Sequence, residues 1–162
     1  MFDAIKYFTR MTEMNKLCQQ EKFKPVVIST PQDLEGLIEH YRDGSRFVCI
    51  SDTNTENLTS DDGTYGFTKR RAFTVLILSA YEYADMDARQ KELDLCREVF
   101  RQFVSRIIND KYTYEEQFVQ FETRSIPTQE FGRYQINGMA GLYFTLYTQE
   151  PIEVEYKQDE WT

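Results

Sequence analysis

The residues best placed to do chemistry are three carboxylates, Glu82, Asp85 and Asp87, in the stretch FTVLILSAYEYADMDARQKELD over residues 73–94. Three such oxygen donors can hold Mg²⁺ or Ca²⁺. They lie where a nearly unbroken apolar run turns into a charged, helix-like segment, and the carboxyl end of a strand is where α/β proteins often place their chemistry. Each also has a structural duty. Asp85 is the expected helix N-cap, Asp87 favours the positive end of the helix dipole, and Glu82 is where a strand emerges into water. The expectation is therefore neither a metal site nor a catalytic residue at this junction, and no cofactor.

Other constellations point the same way. The chain has one histidine, His40, which excludes a two-histidine metal site and reads as a surface residue. GTYG and GMAG lack the lysine and the strand-loop-helix setting of a phosphate loop; their glycines suit turns and close packing. Lys69, Arg70 and Arg71 form the only basic cluster, read as flanking charge at a strand entrance. Cys18, Cys49 and Cys96 are odd in number, lack C-x-x-C spacing and sit among apolar neighbours, so they read as reduced, buried thiols. The chain thus reads as a non-enzyme. From another class, the alternative is a small carboxylate-dependent enzyme at the strand-helix junction.

The elements that must position these groups follow from hydrophobic period. Phe2, Ile5, Phe8 or Met11, and Met14 or Leu17 lie near helical spacing and predict an N-terminal helix over 1–20. KFKPVVIST predicts a short strand. Thr30-Pro31 supplies a cap and a first-turn proline for a helix over 31–41, with Leu34, Leu37, Ile38 and Tyr41 buried and Asp43-Gly44 ending it. RFVCISD predicts a second strand. TNTENLTSDDGTYGFT has few core-forming groups, so residues 53–68 read as a long loop or mobile hairpin tip carrying Asn54, Asp61, Asp62, Tyr65 and Phe67.

Residues 70–83 form the strongest strand. Phe73, Val75, Ile77 and Tyr81 point one way and Leu76, Leu78 and Ala80 the other, as in a central strand covered on both faces. Asp85 then caps a helix of about 24 residues, roughly 36 Å long. Leu93, Cys96, Val99, Phe100, Phe103, Val104, Ile107 and Ile108 mark its buried stripe; Asp94 with Arg97 and Glu98 with Arg101 pair on the outer face. The last third reads as antiparallel strands: Val119, Phe121 and Thr123 alternate with Gln120, Glu122 and Arg124. After turns at Pro127, Gly132 and Asn137-Gly138, AGLYFTLYTQ sends Leu142, Phe144 and Leu146 inward and Tyr143, Thr145 and Tyr147 outward. Pro151 interrupts this strand; Ile152, Val154 and Tyr156 then alternate with charged residues, giving residues 151–162 the period of a half-buried strand or an arm.

The 162 residues suffice for one domain with a real core. The predicted class is α+β: a mixed, mainly antiparallel sheet packed against a long amphipathic helix, with an N-terminal helix and a short helix added. Aromatics at 15% exceed what one small core needs, so some rings are expected at a contact surface. A net charge of −8 argues against sequence-independent nucleic-acid binding. No apolar run approaches the roughly 18 residues of a membrane span, and no signal-like start is present, so the expected setting is a cytoplasm.

The strand RRAFTVLILSAYEY, the following DMDARQKELDLCREVFRQFVSRII, and the late pair FVQFETRSIP and INGMAGLYFTLYT together cover about half of the chain. Their order resembles the tail terminator, or tail completion, proteins of long-tailed bacteriophages. PQDLEGLIEHYRDG and the acidic last segment depart from the shortest members. The resemblance implies a structural virion protein that assembles as a ring, commonly a hexamer, on the tail tube, stops its growth and joins it to the head. Its partners would be copies of itself, the tail tube protein and head-tail connector proteins. It would act in the host cytoplasm during assembly and then in the virion, with no membrane or specific nucleic-acid partner. A head-tail adaptor or neck protein is the alternative within the structural class. The contact material for a ring would come from Tyr143, Tyr147, Arg97, Arg101 and the arm residues Ile152, Val154 and Tyr156.

Overall fold

In the computed structural model, which describes residues 1–40, 45–133, 135, 136 and 138–162 and leaves aside the side chains of Pro31, Ile38 and His40, the strongest strand lies at the centre of the sheet. The helices are α1 (Ala4–Met14), α2 (Lys16–Gln20), α3 (Pro31–His40) and α4 (Met86–Glu115). The strands are β1 (Phe23–Ile28), β2 (Arg46–Thr59), β3 (Thr68–Ala80), β4 (Gln120–Phe121), β5 (Thr128–Glu130) and β6 (Met139–Pro151). The sheet runs β1-β2-β3-β6, with β4 and β5 both on the outer side of β6. Among the described residues only β1 pairs in parallel, with β2, and the other ladders are antiparallel. The chain is therefore α+β, with the long helix against a mixed sheet.

Strand alternation decides which layer each residue joins. Val75 and Ile77 of β3, Val48 and Ile50 of β2, and Leu142, Phe144 and Leu146 of β6 share one face with α1 and α4. Leu76, Leu78, Phe47, Cys49 and Met139 form the opposite face, covered by Leu34 and Leu37 of α3 and by Phe131 and Ile136. At Gly141 the backbone of β6 passes hard against β3: a Cβ there would collide with the Ile77 carbonyl. Gly63, Gly66 and Gly138 occupy left-handed backbone in turns.

Capping sets several boundaries. Asn15 breaks the single helix expected over 1–20: its backbone is extended, and its side chain accepts from the Cys18 N–H at 2.8 Å, capping α2. Met14 consequently points to solvent. Thr30 accepts from the Asp33 N–H at 3.3 Å, and the Asp33 carboxylate accepts from Ser29 and Thr30 N–H at 2.9 Å, a reciprocal cap for α3. The expected end of that helix, with Tyr41 and Asp43-Gly44, lies outside the described residues, as do Asn137 and the side chains of His40 and Ile38.

Asp85 caps α4 through the Ala88 N–H at 2.9 Å. The helix runs 30 residues rather than about 24. Its last turns are held by Tyr114, which packs with Phe2, Tyr7 and Phe121 at ring separations of 4.9–5.4 Å. Such rings account for much of the aromatic surplus. Ile108, expected on the buried stripe, is exposed; Ile107 is buried as expected, and Asp110 extends the stripe. The helix closes with Phe118 in left-handed backbone (φ 60°), where Phe118 N–H reaches Glu115 O and Val119 N–H reaches Tyr114 O, both at 3.0 Å. After it, only Gln120–Phe121 of the strand expected over Val119–Arg124 joins the sheet.

The largest correction concerns residues 53–68. Asn54–Thr59 continue β2 and pair in register with Phe73–Thr68, so the connection is only 60–67. Between Ile50 and Asn54 the ladder slips: four steps on β2, Ile50 to Asn54, face two on β3, Val75 to Phe73. A segment with no apolar period becomes a strand because β3 offers it a continuous row of backbone partners.

Candidate functional site

At the strand-helix junction, Glu82 to Asp87 are all exposed. Asp85 is occupied with its cap, and Arg133 stacks over the Tyr83 ring at 4.6 Å. Among the described residues, no group of three or more His, Cys, Asp or Glu is gathered to hold a metal ion. The basic cluster is consumed internally. Lys69 pairs with Glu56 at 3.3 Å and Arg70 with Glu122 at 2.6 Å, while buried Arg71 bonds the Glu150 carboxylate and, at 3.0 Å, the Phe2 carbonyl. The three cysteines are free and buried, and burial pushes the Cys18 and Cys49 thiols up to about 12 and raises Cys96 as well.

The residues expected at a contact surface fall into three groups. Tyr143 and Tyr147 are half-buried rather than free: the Tyr143 hydroxyl donates to Gln129 at 2.8 Å beside Phe131, and the Arg70 guanidinium covers the Tyr147 ring at 3.9 Å. Arg97 and Arg101 do face outward, with Arg97 bridging Asp94 and Glu130 (both 2.6 Å) and Arg101 pairing with Glu98 at 2.7 Å. The Arg101 bond, then the Gln102 bond, hold the Glu98 carboxyl down at about 2.

The third group is the hairpin tip with the last segment. Asp62 accepts from Thr64 and Tyr65 N–H at 2.7 and 2.9 Å, and the Ser60 hydroxyl donates to the Tyr65 carbonyl, organising the 60–67 turn. Phe67 is half-buried, and Asn54 belongs to β2 opposite Phe73. Pro151 does not interrupt β6 but ends it opposite Thr68. The Ile152 N–H then donates to the Phe67 carbonyl at 3.0 Å. Beyond that bond the alternating stretch is not a strand, because β3 begins at Thr68 and offers no further partner. A 3₁₀ turn follows at Gln158–Glu160, with Tyr156 stacked on Trp161. Val154, Tyr156 and Trp161 are 52–65% exposed.

One feature has no counterpart among the sequence expectations: a groove of about 650 Å³ between α1 and the second half of α4. Its floor is a polar network in which Asp110, on the buried stripe, accepts from the Tyr7 hydroxyl at 3.1 Å and from Arg106 at 2.7 Å. Burial, then Asp110, raise the Tyr7 hydroxyl well above the ordinary tyrosine range. Met11 and Tyr114 add apolar lining, and Arg10, Met14 and Lys16 complete it. The signal present in the sequence was Asp110 itself, a carboxylate three residues after Ile107 on an otherwise apolar stripe. Neither family models nor curated proteins show a match to the chain.

Proposed function

We propose that the protein is a structural virion component of a long-tailed bacteriophage, a tail terminator that closes into a ring on the end of the tail tube and joins it to the head. It assembles in the host cytoplasm and works in the virion, through contacts with its own copies, the tube protein and head-tail connector proteins. Its role is to hold neighbours, without a cofactor. The observation that supports this reading is an open strand edge beside an exposed apolar segment. Beyond Ser51, where β1 ends, the Asn54–Thr59 edge of β2 pairs only with β3 among the described residues. Beside that hairpin the segment 152–162, exposed from Glu153 onward, presents Val154, Tyr156 and Trp161. An open strand edge and an exposed apolar segment are the usual material of chain-to-chain contact. The elements that carry the resemblance are β3, α4, β4 and β6; of these, β3 pairs with that edge strand and β6 runs into the segment.

Native mass spectrometry over a concentration series, with and without a tail tube protein, tests the reading. A discrete ring that binds the tube is expected. A strict monomer in every condition overturns it, and a ring that binds a head-tail connector but not the tube moves the assignment to an adaptor.

A further inference from the structure

We infer that the groove between α1 and α4 is the acceptor for residues 152–162 of a second copy of this chain. The inference rests on the self-association reading and names the two surfaces that meet.

Charge distinguishes the groove from its surroundings. The protein carries −8 overall, yet the groove is lined by three cations, Arg10, Lys16 and Arg106, against one carboxylate, Asp110. Asp110 is already engaged by Arg106. Arg10 and Lys16 are exposed and have no carboxylate partner among the described residues, Arg10 donating instead to the Met14 sulfur at 3.3 Å. The segment has the opposite character: Glu153, Glu155, Asp159 and Glu160 against Lys157 alone. A basic groove attracts an acidic segment and repels basic ones, and residues 152–162 concentrate four carboxylates against one lysine in a short stretch.

Shape and apolar content agree. About 650 Å³ falls in the range of roughly 300–1,000 Å³ that encloses a small ligand or a few side chains. Met11, Met14 and Tyr114 supply adaptable sulfur and an aromatic face for rings such as Tyr156 and Trp161. Within one copy the two surfaces do not meet: Ile152 is pinned to Phe67 at the hairpin, and Tyr156 stacks on Trp161 instead. Donor and acceptor are different patches of one chain, so each copy can give to one neighbour and receive from another. Such a heterologous contact closes into a ring when its rotation permits.

The test uses full-length chains carrying single added cysteines, the native thiols being buried. Met14→Cys and Trp161→Cys proteins, mixed and mildly oxidised, should form a disulfide between chains. Arg10→Glu with Lys16→Glu should weaken association by about tenfold or more at low salt, and Asp159→Lys with Glu160→Lys on the partner should restore it. Circular dichroism verifies that each variant is folded. An oligomer that forms normally with the reversed groove, and gives no Met14–Trp161 cross-link, overturns the inference while leaving the ring standing. A cross-link that forms only within single chains carrying both substitutions overturns it in the same way. So does a Leu58→Cys protein that traps Val154→Cys instead, which would place the segment on the β2 edge. A chain monomeric at every concentration overturns the ring reading and this contact together.

Discussion

Over Phe47–Ile50, Val75–Ala80 and Met139–Leu142 the strands β2, β3 and β6 are almost wholly buried, whereas Asn54–Thr59 of the same β2 is exposed throughout. Beside that exposed half, β3 and β6 carry Lys69, Arg70, Arg71, Gln149 and Glu150. The inner half is held by apolar burial on two faces. The outer half is held by ladder hydrogen bonds, three ion pairs and the Arg70–Tyr147 stack. Burial is cumulative and tolerant of where each contact comes from; paired charges depend on both partners being present. One sheet thus contains a core and an extension built on different physics, and the extension is where the proposed assembly surface lies.

The largest expected effect tests the inner half. Phe144 is fully buried between Phe8 and Phe100, and Phe144→Ala should cost about 3–5 kcal/mol in denaturant unfolding. A loss near 1 kcal/mol would show that the core relaxes around the cavity. Next comes the root of the extension. Glu150→Ala strands buried Arg71 and frees the Phe2 N–H, now 3.1 Å from the carboxylate, so a loss of about 3 kcal/mol is expected. If the loss is negligible, water replaces the carboxylate and the outer half stands on its ladder alone.

A smaller effect is read against pH. The Arg70 hydrogen bond holds the Glu122 carboxyl below its ordinary value. A depressed carboxyl contributes stability that is full above the unfolded value of about 4.3 and lost as pH falls through the lower folded value. Glu122→Gln should therefore be less stable than the parent at pH 7, by at most about 1 kcal/mol for so exposed a pair, and the two should converge in acid. A constant gap across the titration would assign the effect to packing. Smallest of all is Leu58→Ala on the exposed strand, expected within about 0.5 kcal/mol of the parent by thermal melting. A larger loss would mean that Leu58 is covered in solution, most simply by another copy.

The same division explains what could be read from the sequence. The two apolar faces of β3, the Asp85 cap, the Asp94–Arg97 and Glu98–Arg101 pairs and the burial of the cysteines all follow from local period and spacing. TNTENLT carries no such period. Its strand identity comes from Thr68–Phe73 across the hairpin, a partner invisible to a local window. The groove was hidden for a related reason: Asp110 meets Tyr7 across 103 positions, and helical spacing shows only that Asp110 lies on the wrong stripe. Tyr143 and Tyr147 were correctly placed on one strand face, but that face is covered by Phe131 and Arg70 from elsewhere in the chain.

The slip between Ile50 and Asn54 gives the hairpin something like a reading frame. β2 gains two residues on β3 there, an even number, so the side chains beyond the slip keep the facing they had before it. Glu56 thereby stays within reach of Lys69. Removing one residue from Ser51–Thr53 would leave an odd count: either the Asn54–Thr59 ladder shifts by one, inverting its side chains and turning Glu56 away from that lysine, or a one-residue bulge takes up the difference. Removing two would restore an ordinary ladder with all facings intact. Length at this point is therefore counted in pairs: the extension can be drawn in or pushed out by two-residue steps while the core beneath it keeps its register.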